Sequence, residues 1–297
     1  MSLGGRNTVR LSVECMAADE FTGRTGVITG AAAGIGRALA LALADRGAQL
    51  VLWDRDADGL AETARRCHDA GARVRADVVD VADRDAVHIA GEALGRDGAG
   101  IGPVRMVFCL AGVIHTGSVL ASRPEDIDRV LAVNLHGTVH TVEALLPQVL
   151  AAGGGRVVTT SSAFGLLAVP KYSAYCASKA AVLAYTDALR LELRVARAPV
   201  VVSCVVPGGV RTGIVRTGGF APGEDGEAVA ARFDASLART TPEEAADAIL
   251  AGTARGRARI LVGRDARAVA LTTRLTGTVY QRLLVAALRR QARGESS

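Results

Sequence analysis

The sequence predicts an α/β protein built on a doubly wound parallel sheet of seven strands, in a single domain with a helical extension at its carboxyl end. Three observations lead there. From Arg24 onward, short apolar runs alternate with longer segments of helical period, the pattern of repeated βαβ units. A glycine-rich turn falls between the first such run and the first helical segment. No internal repeat or linker interrupts the alternation, and a hydrophobic content of 49% over 297 residues is ample for one core.

The strands are expected near 24–29, 48–53, 72–77, 104–109, 155–160, 200–206 and 258–262, where apolar and β-branched residues cluster. Helices are expected over 35–46, 57–70, 83–95, 124–151, 173–197 and 242–252. The last begins Thr241-Pro242-Glu243-Glu244, in which Thr241 caps, Pro242 suits the first turn and Glu244 completes a capping box. Between Gly208 and Arg239 lies a glycine-rich stretch without clear period, longer than a connector needs to be, and so a candidate lid.

The domain organisation expected is a loose tail over 1–20, a body over 21–263 that holds the sheet and an amphipathic helical extension over 264–297. In that extension Leu271, Leu275, Val279, Leu283, Leu284 and Leu288 share a helical face, with Arg267, Arg274, Arg282 and Arg289 elsewhere. Packing on the body or on another subunit is the favoured reading of this face. A basic helix lying on a membrane surface is the other.

Composition narrows the function classes. A net charge of +5 raises nucleic acid as a partner, but the arginines alternate with acids and lack interleaved aromatics, so no nucleic-acid partner is expected. Cys15, Cys67, Cys109, Cys176 and Cys204 are odd in number and form no C-x-x-C pair, which argues against a disulfide framework and against a zinc site, and fits a cytoplasmic location. No run of about 18 apolar residues suggests a membrane span. The first twenty residues do not read as a secretion signal.

After the first strand comes T-G-A-A-A-G-I-G, with Gly30, Gly34, Ile35 and Gly36 opening the first helix. Glycines there permit a tight turn and let backbone N–H groups and the positive helix end approach a pyrophosphate. Asp54 ends the second strand, where an acid accepts hydrogen bonds from the adenosine ribose. Its carboxylate would repel the 2′-phosphate of NADP, and Ala33 offers no arginine to hold that phosphate, so NAD is favoured. The neighbouring Arg55 argues the other way and leaves NADP open.

Tyr175 and Lys179 stand four residues apart at the start of a long helix, hence on one face. Lys171 and Lys179 are the only lysines in a chain whose 35 cations are otherwise arginines, and with four tyrosines present chance gives about 0.03 such pairs. An ammonium beside a phenol favours its ionised form and lowers its pKa towards a range useful for proton transfer. Lysine can also hydrogen-bond a ribose hydroxyl. Tyr172 has Cys176 at the same spacing and no comparable partner. Ser161 and Ser162 follow the fifth strand, at the carboxyl edge where open α/β sheets bind ligands.

Together the glycine turn, Y-C-A-S-K and the placement of Ser162 thirteen residues before Tyr175 resemble the short-chain dehydrogenase/reductase family, over about residues 22–263. The resemblance implies a Rossmann-type fold and a catalytic set of Asn134, Ser162, Tyr175 and Lys179. It also implies that Pro207 and Gly208 lead to nicotinamide contacts at Val210 and Thr212, and that Asp77 with Val78 lies near the adenine. The family's N-N-A-G turn stands here as Cys109-Leu110-Ala111-Gly112, so the turn glycine survives and both asparagines are gone.

The activity so implied is an NAD(H)-dependent interconversion of a secondary alcohol and a ketone, or of an alcohol and an aldehyde. Alternatives are an NADPH-dependent carbonyl or 3-oxoacyl reductase and a non-catalytic dinucleotide-binding sensor or scaffold. Candidate substrate walls are Val113, Ile114, His115, Phe164, Leu166, Leu167, Val169, Tyr172 and Phe220, mostly apolar, which suggests a hydrophobic small molecule. His115 reads as a partly exposed loop residue rather than a second acid or base. The family also implies a homodimer or homotetramer through helices 124–151 and 173–197, where Ala177, Ala181 and Ala184 permit close packing.

Overall fold

The computed structural model describes residues 20–96 and 100–294. Chain order is β1 (Thr25–Thr29), α1 (Gly34–Ala44), β2 (Gln49–Asp54), α2 (Ala57–Asp69), β3 (Val74–Val78), α3 (Arg84–Arg96) and β4 (Val104–Cys109), then the two-residue β5 (His115–Thr116). Next come α4 (Pro124–Leu131), a π-helical turn (Ala132–His136), α5 (Gly137–Ala151), β6 (Gly155–Thr160), α6 (Ser173–Val195), β7 (Val200–Pro207) and the short β8 (Gly219–Phe220). The chain closes with α7 (Gly226–Ser236), α8 (Pro242–Ala254), β9 (Arg259–Val262), α9 (Arg264–Thr276), a 3₁₀ turn (Gly277–Val279) and α10 (Tyr280–Gly294). Most of the expected tail, residues 1–19, lies outside the described residues.

Seven strands form one parallel sheet in the order β3-β2-β1-β4-β6-β7-β9. The order reverses direction between β1 and β4, and the carboxyl ends of these two strands therefore open a crevice. Central strands are apolar on both faces because helices cover both: all five residues of β1 are buried. Leu39 and Leu43 of α1 meet Ala245 and Ile249 of α8 on one face. On the other, Val142, Leu145 and Val149 of α5 and Leu189 and Leu193 of α6 join the sheet residues Val107 and Val157 in a second apolar cluster.

Helix α8 begins as its residues dictate. The Thr241 hydroxyl accepts from the Glu244 amide at 3.1 Å while the Glu244 carboxylate accepts from the Thr241 amide at 2.8 Å.

Three elements depart from expectation. The single helix expected over 124–151 is two helices joined by the π-turn, whose wider coil carries Asn134 inward: its Nδ2 donates to the Val113 carbonyl at 3.0 Å and to Ser178 Oγ at 2.9 Å, and its Oδ1 accepts from the Val113 amide at 2.8 Å. The lid stretch holds α7, capped by the Asp225 side chain accepting from the Ala228 amide, and β8, which pairs in parallel with β5. The extension is broken at Gly277, whose φ of 52° a residue with a Cβ adopts only under strain. Its leucine face does not pack on the body: Leu271, Leu275 and Leu283 are 59%, 74% and 63% exposed. Among the described residues no helix is long and apolar enough to cross a membrane.

Candidate active site

The crevice divides into a groove and a deeper cavity that share Ile35, Leu110, Gly112, Thr212 and Ile214. The groove, about 340 Å³, runs along Gly30, Gly34, Ile35 and Gly36 to Asp54, Arg55 and Asp56. Backbone closeness dictates its glycines. A Cβ on Gly30 would fall 2.7 Å from the Ala111 amide nitrogen, and one on Gly36 would overlap the Gly30 carbonyl oxygen. With Gly30 and Gly34 both at positive φ, the N-terminus of α1 is bared as a cradle for an anionic group.

Asp54 is fixed at the far end: one carboxylate oxygen accepts from the Ala32 amide at 2.9 Å, the other from the Asp56 amide at 3.0 Å. Exposed Arg55 borders the same end of the groove.

Asp77 and Val78 do not line the groove. The Asp77 carboxylate accepts from Trp53 Nε1 at 3.2 Å and pairs with Arg75 at 2.9 Å, while Val78 is 63% exposed. Val79, Asp80 and Val81 line the groove instead. The dipeptide Asp-Val occurs twice, and only the path of the chain beyond β3 decides which copy turns into the crevice. The Asp80 carboxylate accepts from the Ala82 amide at 2.9 Å, and Asp83 accepts from Ala86 at the start of α3, so the turn into the helix begins at Asp80. Asp83, the acid that caps α3 three residues after Asp80, was the available signal.

The cavity, about 180 Å³, collects Ser162, Tyr175 and Lys179 with Pro207, Gly208, Val210 and Thr212. Ser162 caps the short 3₁₀ turn Ala163–Gly165, accepting from the Phe164 amide at 3.2 Å, and Phe164 meets the Tyr175 ring edge-on at 6.3 Å between centroids. One turn of α6 separates Tyr175 from Lys179, whose Nζ lies 5.7 Å from the centroid of the Tyr175 ring and donates to the Thr160 carbonyl at 3.0 Å. A Cβ on Gly112 would lie 3.3 Å from both Lys179 Nζ and Asn134 Oδ1, so this glycine keeps open the space between them.

Burial governs the charges here. It pushes the Tyr175 phenol up to about 12, with Ser162 acting in the opposite sense, and draws the Lys179 ammonium down to about 8. The expectation that the ammonium makes the phenol acidic is therefore not met in the protein alone: removal from water governs both groups and displaces each towards its neutral form.

Of the expected substrate walls, Ile114 and Phe164 border the cavity and Val113 the groove; Leu166, Leu167, Val169, Tyr172 and Phe220 border neither. His115 is not exposed. It is buried in β5 with Nε2 3.2 Å from Ser122 Oγ.

Sequence reasoning missed Ile214, Phe233 and Leu237 from the lid and Asp265 and Val269 from α9. Asp225 ahead of an alanine-rich run was a legible sign of the lid helix. Nothing in the sequence places α9 at the cavity, where the Asp265 carboxylate accepts from the Gly209 amide at 2.6 Å and lies against Gly208.

A parallel sheet with a glycine cradle at its switch point and a serine, tyrosine and lysine at its carboxyl edge defines a dinucleotide-binding oxidoreductase. The family model "short chain dehydrogenase" matches residues 24–219, and the chain belongs to that family. SadH of Mycobacterium tuberculosis, an oxidoreductase by name, is 47% identical over 266 residues, 90% of this chain and 95% of that one. Human estradiol 17-beta-dehydrogenase 11 is 35% identical over 196 residues, 66% of this chain and 64% of that protein.

Among solved structures, a short-chain dehydrogenase/reductase from Burkholderia phymatum in complex with NAD superposes with a TM-score of 0.79 at 31% identity, covering 89% of this chain and 96% of its own. One from Sphingobium yanoikuyae in complex with NADPH gives 0.69 at 28% identity, covering 86% and 95%. Relatives with either nicotinamide dinucleotide thus share the fold, and the cradle fits the pyrophosphate common to both.

Proposed function

We propose that the protein is an NAD(H)-dependent oxidoreductase that interconverts an apolar secondary alcohol and its ketone, with Ser162, Tyr175, Lys179 and Asn134 as its working set. The observation that carries this reading is the convergence of Ser162, Tyr175 and Lys179 on one cavity continuous with the glycine-lined groove.

The dinucleotide would be held by Gly30, Gly34, Ile35 and Gly36 at its pyrophosphate, by Asp54 at the adenosine ribose and by Asp80 and Val81 near the adenine. Ala111, Gly112, Pro207, Gly208, Val210 and Thr212 would border its nicotinamide half. When bound, it accepts or supplies the hydride.

Ser162 would hold the substrate oxygen. Tyr175, a phenol at neutral pH, is fit to donate its proton to a ketone oxygen; acting as base in the opposite direction requires the positive charge of Lys179 to offset burial. Asn134, buried and held on three sides, would fix the floor beside Lys179.

Asp54 supports NAD over NADP because an adenosine 2′-phosphate would meet its carboxylate. Mostly apolar walls support a hydrophobic substrate, and the names of the steroid dehydrogenase relatives put hydroxysteroids on the test panel. Two copies would pair along α5 and α6, where Ala177, Ala184, Leu191 and Val195 face outward.

The test is initial rates with NAD⁺ and NADP⁺ across secondary alcohols of graded size, hydroxysteroids included, with Tyr175→Phe alongside. Turnover with NAD⁺ that the phenylalanine variant loses supports the reading. A strong NADP⁺ preference overturns the role of Asp54, and tight binding without turnover of any alcohol or ketone favours the sensor alternative.

A further inference from the structure

We propose that α9 and α10 form a docking surface for an anionic lipid bilayer. The charge of the whole protein is concentrated here. Residues 266–294 hold six of the 35 cations, all arginines, and none of the 30 acids, so the remaining 29 cations and 30 acids nearly cancel. Arg267, Arg274, Arg282, Arg289 and Arg290 are all exposed, and none has an ion-pair partner among the described residues.

Beside these arginines lies an apolar surface that the body does not cover. Leu271 and Leu275 stand one turn apart on α9, 59% and 74% exposed; Val279 follows at 52%, and on α10 Leu283 at 63%, Val285 at 44% and Leu288 at 38%. At helical spacing Leu283, Leu284, Ala287 and Leu288 share one side of α10, with Arg282 and Arg289 on the opposite side. Leucines exposed in a row, flanked by arginines without acids, match the two components of a bilayer surface, acyl chains and anionic headgroups. A protein partner recognised through this face would need acids to meet the arginines, and residues 266–294 of a second copy bring none.

The surface is joined to the active site. Val269, on the inner side of α9, lines the substrate cavity. Tyr280, at the head of α10, accepts from the Ala168 amide at 3.0 Å through its hydroxyl, in the loop ahead of Tyr175. Docking face and cavity wall are thus two sides of one element, which suits an enzyme drawing an apolar substrate from a lipid surface.

The test is co-sedimentation of the full-length protein with sucrose-loaded vesicles of phosphatidylcholine alone or with 30% phosphatidylglycerol, an amount on the order of natural anionic membranes. Variants Leu275→Asp/Leu283→Asp and Arg282→Glu/Arg289→Glu leave the cavity residues untouched, and circular dichroism checks their fold. Expected is at least tenfold stronger binding to the anionic vesicles, falling about tenfold or more in each variant and weakening with salt. Equal sedimentation with both vesicle types, or none with either, overturns the proposal. So does an aspartate variant that changes the sedimentation coefficient of the protein in solution without altering vesicle binding, which would assign the leucines to contact between copies.

Discussion

Replacing Lys179 by methionine should abolish activity and, at neutral pH, make the protein more stable. The folded protein holds this ammonium 3% exposed, with one hydrogen bond to the Thr160 carbonyl, and burial draws it from 10.5 down to about 8. Such a displacement corresponds to about 3 kcal/mol of cost to the folded state whenever the amine is charged in both states. Methionine removes that cost but leaves the Thr160 carbonyl without its donor, a loss of about 1–2 kcal/mol. The expected net gain at pH 7 is therefore about 1–2 kcal/mol.

The sign changes with pH. Below pH 8 the amine is charged whether folded or not, and the wild type bears the full cost. Between pH 8 and 10.5 the folded protein releases the proton while the unfolded chain keeps it, so wild-type stability climbs with pH through this window. The methionine variant lacks that climb, and its advantage should shrink to nothing and then reverse by pH 10.5. Urea unfolding of both proteins without cofactor at pH 7, 8, 9 and 10 reads the difference directly, because the other titrating groups cancel between them. Parallel stability profiles from pH 7 to 10 would refute the claim that a buried charge is held here at the expense of the fold.

Three further outcomes are expected. Asn134→Ala leaves the Val113 amide and carbonyl and the Ser178 hydroxyl without their shared partner in a fully buried position, and should cost about 2–4 kcal/mol in urea unfolding along with activity. Gly36→Ala places a methyl group on the Gly30 carbonyl oxygen; dinucleotide binding measured by calorimetry should be lost, with destabilisation of about 1–3 kcal/mol. Thr241→Ala removes the cap of α8 at a side chain that lines neither groove nor cavity, so stability should fall by about 1 kcal/mol while kcat and KM change little.

The sequence alone laid out the seven strands of the main sheet and most of the helices between them, because burial on both faces of a parallel sheet favours short continuous apolar runs in its central strands. It determined the glycine cradle and the Tyr175–Lys179 spacing as well, since both depend only on neighbours within a turn or two. Local rules likewise sufficed for the Thr241 cap. What depends on contacts between distant segments was decided by the tertiary structure alone.

Asp80 rather than Asp77 faces the groove because β3 ends one residue too late for the earlier acid to escape Trp53 and Arg75. The π-turn at Asn134 exists where the long helix must reach Val113 and Ser178 at once. The extension closes the cavity through Asp265 and Val269, 86 residues or more beyond Lys179 in the chain, where no periodicity could register it. The balance of charge at Tyr175 and Lys179 was likewise beyond the sequence. Spacing reveals that an ammonium stands beside a phenol, whereas the depth at which the fold buries them decides which protonation state each one keeps.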